Sequence, residues 1–130
     1  MKKTYHGSCE CEKVRIEATF DLAAGTFKCN CRMCTKSRFW GAVVDPSEFK
    51  ILSGEDDLSV YWNRPEHHFC KTCGTKVFGR GPGPDGKVMV VVSLPVLDDL
   101  DPRELSQAPV MYFDGRHDRF DRQAEFTAHL

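Results

Sequence analysis

Three short clusters hold all seven cysteines of the chain: Cys9-Glu10-Cys11, Cys29-Asn30-Cys31-Arg32-Met33-Cys34 and Cys70-Lys71-Thr72-Cys73-Gly74. A thiolate is a nucleophile and a soft metal ligand, and an odd number of thiols argues against a complete intramolecular disulfide framework. Cys70 and Cys73 have the two-residue spacing that lets both sulfurs of a tight turn reach one tetrahedral zinc at about 2.3 Å, with Gly74 free to take the positive φ of such a knuckle. A closed structural site needs four ligands, so a second pair must come from elsewhere. In an ideal strand Cys9 and Cys11 point to one face, and Gly7-Ser8 before them offers a bend.

The middle cluster places three thiols within six residues, close enough to bind one metal from a single turn. Three protein ligands leave one tetrahedral position for another donor, which separates catalytic from structural zinc. A zinc with three thiolates is a weak Lewis acid that favours a further soft ligand, a thiol delivered as thiolate. Spacing alone leaves the partition open. The first pair can instead bind with part of the middle group, and a His or Asp can close the middle cluster into a second structural site.

The rest of the chain bounds these options. It has 130 residues, 41% hydrophobic and 28% charged, with a formal net charge of -1 from 18 basic and 19 acidic residues. That is the composition of one globular domain over residues 1–130, long enough to bury roughly two-thirds of its unfolded surface. Mixed charge of near-zero sum gives no field that attracts nucleic acid or anionic lipid. The longest apolar run, residues 88–92, is far shorter than the roughly 18 residues of a membrane span. The first ten residues carry two lysines with no apolar core behind them, so a reducing, cytoplasmic location is expected, where clustered thiols act as metal ligands.

The elements that must position the thiols read mainly as strands. Residues 14–20 alternate apolar and polar with period two, and residues 39–44, 49–52 and 58–62 are rich in β-branched and aromatic side chains. Residues 76–78 and 87–94 flank Gly79-Arg80-Gly81-Pro82-Gly83-Pro84-Asp85-Gly86, expected to be a long, mobile hairpin connection. The unbroken apolar run 88–92 predicts a central strand covered on both faces. Helix is thin: one turn within residues 31–38 and one within 98–105, where Asp101-Pro102 supplies cap and first residue. Every cysteine is expected at a strand end or in a turn.

Taken together, Gly7-Ser8-Cys9-Glu10-Cys11 with Val14-Arg15, the Cys29 to Cys34 cluster, residues 49–54 with Tyr61, and Phe69-Cys70-Lys71-Thr72-Cys73-Gly74-Thr75 resemble the glutathione-dependent formaldehyde-activating enzyme family, which includes proteins related to centromere protein V. Tyr112-Phe113-Asp114-Gly115-Arg116 resembles the family's common ending. The resemblance implies a mainly β, single-domain β-tent fold of short antiparallel strands around zinc knuckles. It also implies two zinc ions, a structural one on Cys9, Cys11, Cys70 and Cys73 and a catalytic one on Cys29, Cys31 and Cys34. The implied activity is that of a carbon-sulfur lyase, forming S-hydroxymethylglutathione from glutathione and formaldehyde. A non-catalytic zinc module that binds a protein partner is the alternative.

On this reading a small-molecule thiol such as glutathione and an aldehyde are the partners, with neither nucleic acid nor membrane. His67, His68, His117 and Asp45 are the candidate proton carriers. Arg32, Lys36, Arg38 and Lys71 stand near the ligands as candidates for substrate carboxylates. Trp40, Tyr61 and Trp62 are expected as core or pocket wall.

Overall fold

The computed structural model describes residues 1–62 and 65–130. Its elements are β1 (Lys3–Ser8), β2 (Arg15–Phe20), β3 (Thr26–Cys29), α1 (Arg32–Ser37), β4 (Trp40–Val44), β5 (Phe49–Ser53), β6 (Leu58–Tyr61), β7 (Glu66–Cys70), β8 (Lys76–Pro82), β9 (Val88–Ser93), α2 (Pro102–Ser106), β10 (Val110–Asp114) and β11 (Arg119–Gln123). They form a three-stranded sheet, β1-β2-β5, and an eight-stranded sheet, β11-β10-β3-β4-β9-β8-β7-β6. The fold is mainly β, as expected. Pairing is antiparallel except between β10 and β3, which run parallel. No helix of the described residues is long and apolar enough to cross a membrane.

Period-two patterning decides which face of each strand meets the core. In β2, Ile16, Ala18 and Phe20 are buried while Arg15 is exposed. They join Tyr5 of β1 in one cluster with Ala42 and Val44 of β4, Phe78 of β8, and Val90 and Val92 of β9. Fully burying an aliphatic side chain such as Ile16 or Val92 contributes about 1.5–3 kcal/mol, and this layer of contacts holds the small sheet against one face of the large one. The opposite face of the large sheet carries the alternate residues of the same strands.

The strands expected at residues 14–20, 39–44, 49–52 and 58–62 correspond to β2, β4, β5 and β6, and both short helices occur where the caps place them. Asp101 accepts a hydrogen bond from Arg103 N at 2.9 Å at the start of α2. The Gly-Pro-rich segment departs from expectation. Strand β8 runs through Gly79, Arg80 and Gly81 and stays paired with β9 as far as Pro82 opposite Val88. The turn is confined to residues 83–87, closed by Gly83 N donating to Lys87 O at 2.8 Å, with Gly86 at φ 81°. Cross-strand pairing to the apolar β9 overrides the weak local propensity of the glycines. Within β9, Val90 to Ser93 are buried but Val88 is exposed, so coverage on both faces holds only for its second half.

Candidate metal centres

Strand β1 ends at Ser8, and the chain then makes a tight turn in which Glu12 N donates to Cys9 O at 3.0 Å and Glu12 adopts φ 65°. The pair Cys9 and Cys11 is thus presented by a turn and not by a strand. The expected bend at Gly7-Ser8 is absent, since both belong to β1. Gly7 serves close packing: a Cβ there would lie 2.5 Å from Val96 O. Opposite this turn, the knuckle after β7 is closed by Gly74 N donating to Cys70 O at 2.7 Å, and Gly74 takes φ 79° as its spacing predicted.

The sulfurs of Cys9, Cys11, Cys70 and Cys73 all lie within 4.8 Å of one another. Cys9 Sγ is 3.6 Å from Cys11 Sγ, which is 3.7 Å from Cys70 Sγ. A tetrahedron with 2.3 Å bonds has edges of about 3.8 Å, so the donor set fits zinc. Val14 N points at Cys9 Sγ from 3.3 Å. Thr75 Oγ1 stands 3.2 Å from Cys73 Sγ, and this hydrogen bond is the first cause that lowers the Cys73 thiol to about 5. Both contacts stabilise sulfur as thiolate, the ligating form.

The second group is Cys29, Cys31 and Cys34, whose sulfurs also lie within 4.8 Å of one another; among the described residues no further Cys, His, Asp or Glu joins them at that distance. Cys29 is the last residue of β3, Cys31 caps α1, and Cys34 lies inside that helix, not at a strand end or in a turn. Cys31 Sγ accepts from Cys34 N at 3.4 Å, and Cys29 Sγ accepts from Cys31 N at 3.4 Å. Hydrogen bonds with Cys29 and then Cys34 hold the Cys31 thiol far below its ordinary range, while hydrogen bonds with Cys29 and then Cys31 push Cys34 up. Three thiolates in contact oppose one another's ionisation, so ionising all three together requires a cation beside them.

Sequence reasoning gave no role to the groups that position this trio. Asn30 N donates to Phe113 O at 3.1 Å, Asn30 Nδ2 donates to Asp114 Oδ1 at 2.9 Å, and Asn30 Oδ1 accepts from Arg116 N at 2.8 Å. Asp114, only 4% exposed, also accepts from Arg122 Nε at 2.7 Å and faces His117 Nδ1 at 2.9 Å. The Asn30 hydrogen bond leads the causes that keep its carboxyl well below the usual carboxylate range. Gly115 packs against Cys29 Sγ so tightly that a Cβ there would overlap the sulfur. Lys76 places Nζ 4.1 Å from the Phe39 ring; burial lowers its pKa, and the nearby Cys34 and Cys31 sulfurs oppose that shift. It brings positive charge to the trio.

Cys29, Cys31 and Cys34 line a cavity of about 1690 Å³. Of the proposed proton carriers, His67 and Asp45 reach its wall. His67 is 6% exposed and stacks on Tyr61 at 5.1 Å. Its Nδ1 has no hydrogen-bond partner among the described residues. Burial, with Lys76 adding, pushes the ring down to about 4, so it is neutral near pH 7. A buried orphan acceptor is tolerated better than an orphan N–H, which assigns the proton to Nε2. Asp45 instead caps the turn after β4, accepting from Ser47 N at 2.9 Å. His68 faces the core, stacked on Phe78 at 4.2 Å, and His117 is engaged by Asp114. Arg32 and Lys36 of α1 line the cavity with Tyr61 and Trp62. Arg38 ends α1 in the left-handed region, at φ 52°, and Lys71 is exposed in the knuckle. Trp40 Nε1 donates to Thr26 Oγ1 at 2.9 Å.

Comparison with known proteins adds two findings. The family model described as glutathione-dependent formaldehyde-activating enzyme matches residues 4–114. The crystal structure of a Rhodobacter sphaeroides protein is similar at TM-score 0.69 and 24% identity, over 82% of this chain and 99% of that one. At that identity the likeness shows the fold alone.

Proposed function

We propose that this chain, which belongs to the glutathione-dependent formaldehyde-activating enzyme family, is a two-zinc enzyme of carbon-sulfur lyase type that joins a small-molecule thiol such as glutathione to an aldehyde. One observation carries the reading: of two cysteine groups that fit a metal, one has four sulfurs and the other three, and the three line the cavity. Cys9, Cys11, Cys70 and Cys73 would hold a structural zinc and Cys29, Cys31 and Cys34 a catalytic one. When bound by three thiolates, zinc supplies a soft acid centre that lowers the pKa of a thiol and fixes its sulfur.

The chain's own residues do the remaining work. Arg32 and Lys36 present cations on the wall beside the trio, where the carboxylates of a thiol such as glutathione can pair with them. His67, neutral and carrying its proton on Nε2, is the donor best suited to a carbonyl oxygen as charge develops on it. In the overall step the S–H adds across the C=O: a carbon-sulfur bond forms, the carbonyl π bond opens, and the thiol proton ends on oxygen. Orienting thiol and aldehyde in one cavity removes several kcal/mol of entropic barrier. The seven free cysteines accord with a reducing, cytoplasmic setting, and the core shared by the two sheets supports one domain over residues 1–130.

The test combines zinc analysis with the rate of hemithioacetal formation above the spontaneous reaction. Cys29→Ser, Cys31→Ser and Cys34→Ser should each lose one zinc of two and abolish the enzymatic rate while the far-ultraviolet spectrum stays unchanged. Retained turnover in these variants refutes the assignment and leaves the non-catalytic zinc module as the reading.

A further inference from the structure

Residues paired directly across a sheet share a face, and the registers carry one such row across five strands of the large sheet. Val43 is opposite Val91, Val91 opposite Gly79, Gly79 opposite His67, and His67 opposite Tyr61. Beyond β4 the same face continues through Phe27, paired with Gly41, while β10 sets Met111 beside Phe27 and Phe113 beside Cys29. This face lines the cavity with the three sulfurs at its β3 end. At about 1690 Å³ the space exceeds the roughly 300–1,000 Å³ of a pocket for a drug-sized ligand.

The wall is apolar and wet. Val43, Met111, Phe120 and Trp62 all line the cavity, yet they are 52%, 57%, 58% and 63% exposed. Formaldehyde has one carbon and no substituent to lay against them. Resting on the proposed thiol-aldehyde chemistry, we infer that the aldehyde joined at the trio carries a bulky apolar group, an aromatic ring or a medium-length alkyl chain, which lies along Val43 and Val91 of that row. The group is a spectator to the bond change. S–H still adds across C=O, with the proton passing from sulfur to oxygen and nothing oxidised or reduced. Its contribution is burial of apolar surface from both sides.

Gly79 supplies the means of testing this. Gly79 lies on that face between Val91 and His67, which both line the cavity, and a Cβ there would meet only Glu66 O, at 3.5 Å, so a longer side chain has room to extend over the face. Turnover of hexanal, benzaldehyde and formaldehyde with glutathione is compared in wild type, Gly79→Leu and Val43→Thr, and binding of S-hexylglutathione and S-methylglutathione is measured by calorimetry. The expected result is a preference of about tenfold or more for the larger aldehydes and for the hexyl thioether, the scale set by several buried CH2 groups. Gly79→Leu should bring both ratios toward one, and Val43→Thr, at an exposed position that tolerates change, should lower them severalfold. Equal binding of the two thioethers, or a wild-type preference for formaldehyde, overturns the inference while leaving the thiol-aldehyde reading intact. No turnover of any aldehyde, with the hexyl preference in binding retained, refutes that reading and upholds the apolar site. A dimer that Val43→Glu separates would assign the face to a second copy and also overturn the inference.

Discussion

Replacing Gly115 by alanine drives a methyl carbon into Cys29 Sγ, and the surroundings allow it no sideways escape. Cys31 Cβ lies 3.1 Å and Phe120 Cε1 3.3 Å from the same point, both already tighter than ordinary van der Waals contact. Either the sulfur or the β10 segment must therefore retreat by several tenths of an ångström. Metal sites tolerate about 0.2 Å in ligand distance. The β10 segment is held by Asn30, through Phe113 O, Arg116 N and Asp114 Oδ1, so Cys29 is the group expected to yield. Loss of an outer-shell partner alone typically costs 10- to 100-fold in metal affinity; a displaced ligand should cost at least 100-fold, or about 2.7 kcal/mol. Competition with a chromophoric chelator measures zinc affinity at the two proposed sites in wild type, Gly115→Ala and the control Gly79→Ala. The expected outcome is one zinc at wild-type affinity and one weakened at least 100-fold in Gly115→Ala only. Two zincs of undiminished affinity, or loss of the zinc on Cys9, Cys11, Cys70 and Cys73, refutes the reasoning.

Asn30→Ala should weaken zinc binding at the proposed Cys29, Cys31 and Cys34 site by about 10- to 100-fold through loss of the groups that orient that turn, read by the same chelator competition with the proposed four-cysteine site unaffected. Cys70→Ala removes a fully buried ligand of the proposed structural zinc; several kcal/mol of lost metal binding should lower Tm by roughly 10 °C or more in a calorimetric scan. Two histidines should titrate apart by NMR: His67 at about 4, pushed down by burial, and His6 above its ordinary value, raised by Asp99 and then Glu17. Because the unfolded chain binds the His67 proton near pH 6.5 and the folded chain does not, stability should fall as pH drops from about 6.5 to about 4, and His67→Gln should flatten that part of the curve. A His67 titration near 6.5 would contradict its burial and its assignment as a neutral donor.

The strands legible in the sequence were those whose own residues alternate, β2 above all, because Ile16, Ala18 and Phe20 face the core while their neighbours face water. Strands β1, β3, β7, β10 and β11 left weaker traces. β3 has only four residues and is held by partners distant in sequence, Met111 beside Phe27 and Trp40 beside Lys28. β11 has no buried residue at all, so no burial pattern existed to be read. The glycines of β8 point the other way: local propensity argued for a loop, and pairing with β9 made a strand of it, because Gly79 and Gly81 alternate with the buried or partnered Phe78 and Arg80.

The metal groups follow a different logic. Thiol spacing within each cluster is a local property, and so Gly74 stands at φ 79° where residue type alone pointed, whereas the grouping of Cys9 and Cys11 with Cys70 and Cys73, which spacing left open, is the one the family resemblance implied. What spacing cannot carry is the support that reaches a cluster from elsewhere in the chain. Asp114 is 84 residues from Asn30, and although it lies in the segment that resembles the family's ending, nothing in the sequence shows that it supports the Cys29 to Cys34 turn. The difference between His67 and His68 was equally hidden, since adjacent residues of a strand point to opposite faces and only the register decides which faces the cavity. Pairing of His67 with Gly79 sends His67 toward the three sulfurs and His68 onto Phe78. A single-residue slip of β7 against β8 would exchange them, removing the proposed proton donor from the site, and would also turn Cys70, the last residue of β7, away from its three partner sulfurs.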